Sequence, residues 1–275
     1  MSTSNFVPEL WSRLLLTAFR KNLVFASLVN RDYEGEIREM GDTVKITTPS
    51  AVAVKDYSGT VTYDALLSTQ QSLIIDQAKY FGFEVSDIDE AQANVSLEST
   101  YIVEAAQALA DAVDQDLASL YTAAGLADIP VTLASDDLYE ALVLAGRRLD
   151  EANVPRAGRW VVVSPAGYAS LLTNDKFVVQ ATATGDGIVA TGLVGQVAGF
   201  TVYTSNNVAT VEDGGDEFRK YVYGTNRAIT FAEQVSKTET LRREGSFSDA
   251  IRGLLVFGRR VIRPNSLGTI TATEA

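Results

Sequence analysis

The spacing of apolar residues changes period several times along the chain, and each change marks an element. Residues 8–19, PELWSRLLLTAF, set Leu10, Leu14 and the pair Ala18 and Phe19 at helical spacing, with Trp11 beside them. Pro8 suits a first helical turn, and Ser4 or Asn5 can cap it. From residue 41 the pattern alternates. DTVKITTPSAVAVKDYSGTVTY is rich in Val, Thr and Tyr and reads as strand, punctuated by Pro49 and Ser58-Gly59. QQSLIIDQAKYFGFEV returns as a second strand region. Together they predict an antiparallel excursion of about 40 residues with arms of about 50 Å. A lone two-stranded ribbon is marginal in water and leaves its edges unpaired, so another chain is expected to cover it.

A long helix is predicted next. Ser86 reads as its N-cap, and Asp87, Asp89 and Glu90 complement the positive helix end, which explains these acids without a metal. Ile88, Val95, Ile102 and Leu109 recur every seven residues, and Val113, Leu117 and Leu120 continue the face. The helix is expected to end at Ala124, before Gly125, giving about 37 residues and a strut of about 55 Å.

Beyond Pro130 the pattern is compact α/β. Leu138, Leu142, Ala145, Leu149 and Ala152 mark a second helix, ended by Asn153-Val154-Pro155. RWVVVSP reads as a fully buried strand, and Ser164-Pro165 starts a short helix through Leu172. Phe200 and Val202 lie on a further strand. FRKYVYG, AITFAEQ and TETLRR read as three more. In the closing GLLVFGRRVIRP, Gly258 is expected to mark a bulge and Pro264 the end of the strand. The acidic EDGGDE at 212–217 reads as a solvated turn.

Composition narrows the chemistry. With no cysteine and no histidine, disulfides, thiolate nucleophiles and the usual general base are excluded, and metal sites would rest on carboxylates alone. No cofactor, metal or catalytic residue is expected. The net charge of −12 argues against a tight grip on nucleic acid. No apolar run is long enough to span a bilayer, and residues 8–19 carry too little positive charge for a membrane-surface anchor. The first residues show no secretory signal pattern. Two glycine motifs come near phosphate sites. Gly187 and Gly192 have P-loop spacing, but Leu193-Val194 stand where Lys and Ser or Thr are needed. Gly185 to Ala190, GDGIVA, fits a dinucleotide fingerprint. Gly192, Gly195 and Gly199 then interrupt the helix that the fingerprint requires.

The order of these pieces carries a resemblance. RWVVVSPAGYASLLTND, then GLVGQVAGFTVYTSNNV, then LLVFGRRVIRP look like the axial domain of major capsid proteins of tailed bacteriophages, with actinobacterial phages as the nearest source. The resemblance implies an α+β chain with the Hong Kong 97-like capsid fold. Residues 1–35 would be an N-terminal arm and 36–85 an extended β loop. Residues 86–129 with 228–250 would form a peripheral domain holding the spine helix, and 130–227 with 251–275 an α/β axial domain. The glycines of 192–199 would let a connection pack tightly under the axial sheet, and Ser205-Asn206-Asn207 would turn the chain out of its strand.

Function would then be assembly: hexamers and pentamers of identical subunits, forming an icosahedral shell around packaged double-stranded DNA that is touched weakly and without sequence preference. Contacts between subunits are expected at Leu10, Trp11, Leu14 and Phe19 of the arm, and at Lys55, Asp56 and Tyr57 of the loop. A separate scaffolding protein and a portal are the expected partners, because no scaffold-like segment precedes the arm. Lys45 and Lys55 match no asparagine or glutamate for the covalent crosslink of some relatives. The alternatives are an encapsulin-like nanocompartment shell and, from another class, a dinucleotide enzyme.

Overall fold

Alternating and helical periods in the sequence give, among the described residues, three sheets flanked by helices. The computed structural model describes residues 24–33, 43–49, 54, 56, 59, 68–86, 97–133, 137–173, 195–243, 245 and 248–274. In chain order the elements are α1 (Phe25–Leu28), β1 (Thr43–Pro49), β2 (Ser68–Ile74), β3 (Gln77–Ser86) and α2 (Leu97–Ala118). Then come a 3₁₀ turn (Ser119–Ala123), β4 (Ile129–Thr132), α3 (Leu138–Glu151), β5 (Arg159–Val163) and α4 (Pro165–Thr173). The remainder is β6 (Gln196–Val197), β7 (Phe200–Thr204), β8 (Ala209–Asp213), β9 (Asp216–Thr225), β10 (Ile229–Arg242), β11 (Ser248–Val261) and β12 (Leu267–Thr273).

The largest sheet runs β4-β12-β9-β5-β7-β6, with β8 also on β9. Every residue of β5 is buried, as its unbroken RWVVV run requires of a strand covered on both faces. β5 lies parallel to β7 and antiparallel to β9, so the strand sits in the middle of the sheet. Its core joins Trp160 and Val161 to Phe200, Tyr223, Leu138 and Leu142. Phe200 and Tyr223 meet edge to face with centroids 6.0 Å apart. Helix α3 buries the expected Leu138, Leu142, Ala145 and Leu149, and Asp137 caps it by accepting a hydrogen bond from the Tyr139 N–H at 2.9 Å. Asn153, at φ 56, turns the chain away.

A three-stranded antiparallel sheet, β10-β11-β3, carries α2 on one face. Phe81 and Phe83 of β3 pack there against Ile102 and Ala106. β1 and β2 pair antiparallel from Thr43↔Ile74 to Pro49↔Ser68, forming a separate two-stranded ribbon. Val44, Ile46, Leu73 and Ile75 fix its base onto Ala232 and Val256 of the three-stranded sheet.

Several expectations are corrected. Ser86 ends β3, paired with Ser248, and the described helix begins at Leu97; residues 87–96, where the expected cap would act, lie outside the described residues. α2 with its 3₁₀ turn reaches Ala123, as expected, and its described α-helical part is 22 residues long, about 33 Å at helical rise; the start of the expected strut lies outside the described residues. QQSLIIDQAKYFGFEV is two strands in different sheets, parted at Ile75-Asp76. AITFAEQ and TETLRR belong to one strand, β10, whose register against β11 shifts between Val235 and Lys237. The bulge is therefore on β10, and Gly258 pairs with Ala232 in regular register. A Cβ at Gly258 would overlap the Ile74 carbonyl oxygen and lie 2.7 Å from Ile75 Cδ1, so glycine here admits the ribbon's backbone. β12, which pairs with both β9 and β4, had no counterpart in the sequence reading.

Candidate interaction surfaces

Among the described residues no three acidic side chains are grouped to hold a metal ion, and no helix is long and apolar enough to cross a membrane. The glycine stretch makes a turn. Val197 pairs with Phe200 across Ala198 (φ 48) and Gly199 (φ 85), two consecutive positive values that fit a type I′ hairpin. Nothing lies within 4 Å of a Cβ built at Gly195 or Gly199. The role of these two glycines is backbone conformation rather than close packing, and Gly192 lies outside the described residues. At the other end of β7 the Asn207 N–H donates to Ser205 Oγ at 3.1 Å, and the chain leaves its strand there as expected. Gly185 to Ala190 lie outside the described residues.

Of the residues expected to meet another subunit, Leu10, Trp11, Leu14, Phe19, Lys55 and Tyr57 lie outside the described residues. Asp56 is described and exposed, and its neighbour Val54 is 100% exposed. The ribbon has a buried base at Val44 and Ile46, and the described residues beyond it, Val54, Asp56 and Gly59, are exposed.

The segment before the ribbon is held in a way that sequence reading missed. Phe25, Ala26 and Leu28 are buried in the main core. Asp114 of α2, only 2% exposed, accepts hydrogen bonds from the Val24 and Phe25 N–H groups, each at 3.2 Å. Burial pushes this carboxyl up to about 6, against the lowering effect of those N–H donors, and Asp111 nearby adds to the rise. Asn30 then bridges β10: its N–H donates to Ile229 O at 2.9 Å, and its carbonyl accepts from Phe231 N–H at 2.9 Å. Arg31 pairs with the buried Glu233 and lies over the Phe231 ring at 5.5 Å. The available signal was Asp114 itself, a carboxylate directly beside Val113 on the apolar face of the long helix.

Two further polar groups fix elements of the largest described sheet. Arg159, 4% exposed, donates to Asp150 Oδ1 and Val154 O at 2.6 Å, Pro155 O at 3.1 Å and Gly146 O at 3.3 Å, binding the end of α3 to β5. Tyr221 OH lies 2.8 Å from Ser164 Oγ and donates to Glu274 Oε1 at 2.7 Å, which holds the last described residue against the sheet. Burial raises the Tyr221 phenol above its ordinary range, leaving it a neutral donor. The EDGGDE turn joins β8 to β9 through Gly214 (φ 65) and Gly215 (φ 98), with Asp213 opposite Asp216. It is an exposed acidic hairpin, as the solvated reading expected.

Among the described residues these contacts latch elements of the fold together, and comparison with known proteins shows the family to which such a fold belongs. The phage capsid protein family model matches residues 70–270. A solved chain from Mycobacterium phage Che8 is 34% identical, with 92% of this chain and 91% of that chain covered and a TM-score of 0.73. The capsid of cyanophage P-SCSP1u aligns at 20% identity over 87% and 85% of the two chains, TM-score 0.69. A virus-like particle from Pyrococcus furiosus shares the fold at 15% identity over 96% and 99%, TM-score 0.61. No curated protein matches the sequence. The chain belongs to the phage capsid protein family. It is a structural protein of the virion capsid with the Hong Kong 97-like fold, and an actinobacterial origin fits the likeness to the Che8 chain.

Proposed function

We propose that copies of this chain assemble in the host cytoplasm into hexamers and pentamers of an icosahedral shell that encloses packaged double-stranded DNA. The β1–β2 ribbon is the observation that carries this reading. Its base is buried, its two strands form a sheet of their own, and the chain beyond it reaches Val54 in full solvent exposure. Such a ribbon is stable only if something covers its edges, and in a shell a neighbouring subunit does so. The arm residues Leu10, Trp11, Leu14 and Phe19 and the loop residues Lys55, Asp56 and Tyr57 are the proposed inter-subunit contacts. The division into arm, loop, peripheral and axial domains is proposed with them. A separate scaffolding protein and a portal complete the assembly. DNA is held weakly and without sequence preference, because a net charge of −12 leaves little for phosphate contact.

The test is to replace residues 49–67 with a short Gly-Ser turn, closing the ribbon at the Thr48↔Thr69 pair. Circular dichroism should show a folded chain, because the cores of the two larger sheets are untouched. Sedimentation should show no shells. Normal shells from this variant would contradict the reading.

A further inference from the structure

The segment that docks through Asn30 forms one wall of a polar cleft of about 550 Å³. Arg31 and Asp32 line it from that side, and Asn226, Arg227 and Arg263 from the other. Arg31 is committed to Glu233. Arg227 and Arg263 are exposed and form no ion pair with a described residue, and among the described lining residues Asp32 is the one acid. The same two arginines also line an adjoining recess of about 400 Å³ beside Pro155 and Gly158. In a chain of net charge −12, a ridge of unneutralised guanidinium between two polar hollows is a site for an anion.

The chain carries a matching anion. Glu212, Asp213, Asp216 and Glu217 crowd four carboxylates around the Gly214-Gly215 tip, and among the described residues only Glu217 has a cation, Arg219 at 2.8 Å. The tip is open to solvent: its two glycines have nothing within 4 Å of a built Cβ. Strand β9 starts at Asp216 in this tip and ends at Thr225, next to the cleft residues Asn226 and Arg227. Ten extended residues hold the two charge clusters about 30 Å apart, so they do not neutralise each other within one chain.

We infer that the Arg227–Arg263 cleft receives the acidic Glu212–Glu217 hairpin of a second copy of this chain. Because donor and receiver are different patches at opposite ends of one strand, the contact is head to tail, and its repetition can close a ring. Copies that each carry excess negative charge repel one another. The contact sets the acidic tip of one on the unpaired cations of the next. The inference rests on the shell reading for its setting, since rings of subunits are the units of the proposed shell.

Charge reversal tests it in the full chain. Arg227→Glu with Arg263→Glu, or Asp213→Lys with Asp216→Lys, should each lower the yield of sedimenting particles about tenfold or more. The chain carrying both pairs should recover to within about threefold of the parent. Circular dichroism checks that each variant folds. A combined variant no better than either parent pair would overturn the contact while leaving the shell reading intact. A second arm does not depend on shells. The chain has no cysteine, so Asp216→Cys mixed with Asn226→Cys under oxidising conditions should give a disulfide-linked dimer of unlike chains. Particles absent from the parent would defeat the shell reading, and the disulfide would still decide the contact. Only like-with-like dimers, or none, would overturn it.

Discussion

Acidification should stabilise the folded chain through Asp114, by relieving the cost of a buried carboxylate beside the docked segment at Phe25–Asn30. The group is 2% exposed and faces the Val24 and Phe25 N–H groups, with Asp111 as its charged neighbour among the described residues. Its folded value is raised from 3.8 to about 6, burial being the largest cause. Between those two values the native state binds a proton that the unfolded state does not. This contribution to stability is fully present below the unfolded value and is lost as pH rises through about 6. At pH 5, one unit below the folded value, it amounts to about 1.4 kcal/mol relative to pH 7.5. Urea denaturation of unassembled chain at those two pH values measures it, and other titrating groups are removed by comparison with Asp114→Asn. The parent should gain about 1.4 kcal/mol more than the variant on acidification. Identical pH slopes in the two proteins would refute the assignment, and a steeper slope in the variant would reverse its sign.

Other outcomes follow from particular contacts. Arg159→Ala removes a buried guanidinium from three carbonyls and Asp150, and should cost about 3 kcal/mol in chemical denaturation; Asp150 is partly exposed and keeps Arg156, which holds the loss near the low end for a broken buried pair. A cost under about 1 kcal/mol would contradict the clamp described for it. Gly258→Ala should destabilise by about 1–3 kcal/mol and speed hydrogen exchange in β1 and β2, because the added methyl meets the Ile74 carbonyl. Unchanged exchange there would contradict the close approach. Trp11→Ala should weaken shells more than it destabilises isolated subunits, and equal losses would place the arm helix in its own subunit's core.

Legibility in the sequence followed the strength of local period. Helix α3 and strand β5 could be read directly, because one has a clean helical face and the other an unbroken apolar run. The bulge in β10 hid that strand's continuity. One extra residue near Ser236 reverses which side chains face the core, so a single strand presents two runs out of phase. Strand β12, LGTITAT, is diluted by threonine and glycine, and its place comes from pairing with distant β9 and β4. The pairing of Ser86 with Ser248 at the end of β3 likewise comes from a strand far along the chain, which local capping chemistry does not show. Asp114 was passed over because its partners lie about 90 residues away, beyond any local pattern. The cleft of Arg227 and Arg263 was invisible for the same reason, since only the fold brings the two arginines together beside Asn30.

Electron microscopy tests the central claim most directly, applied to the full chain expressed with its proposed scaffolding partner. Closed particles of icosahedral symmetry should form, with capsomers of six and five subunits and each residue 49–67 loop lying across a neighbour. Uniform monomers or open, irregular aggregates, or closed shells whose loops stay on their own subunit, would contradict it.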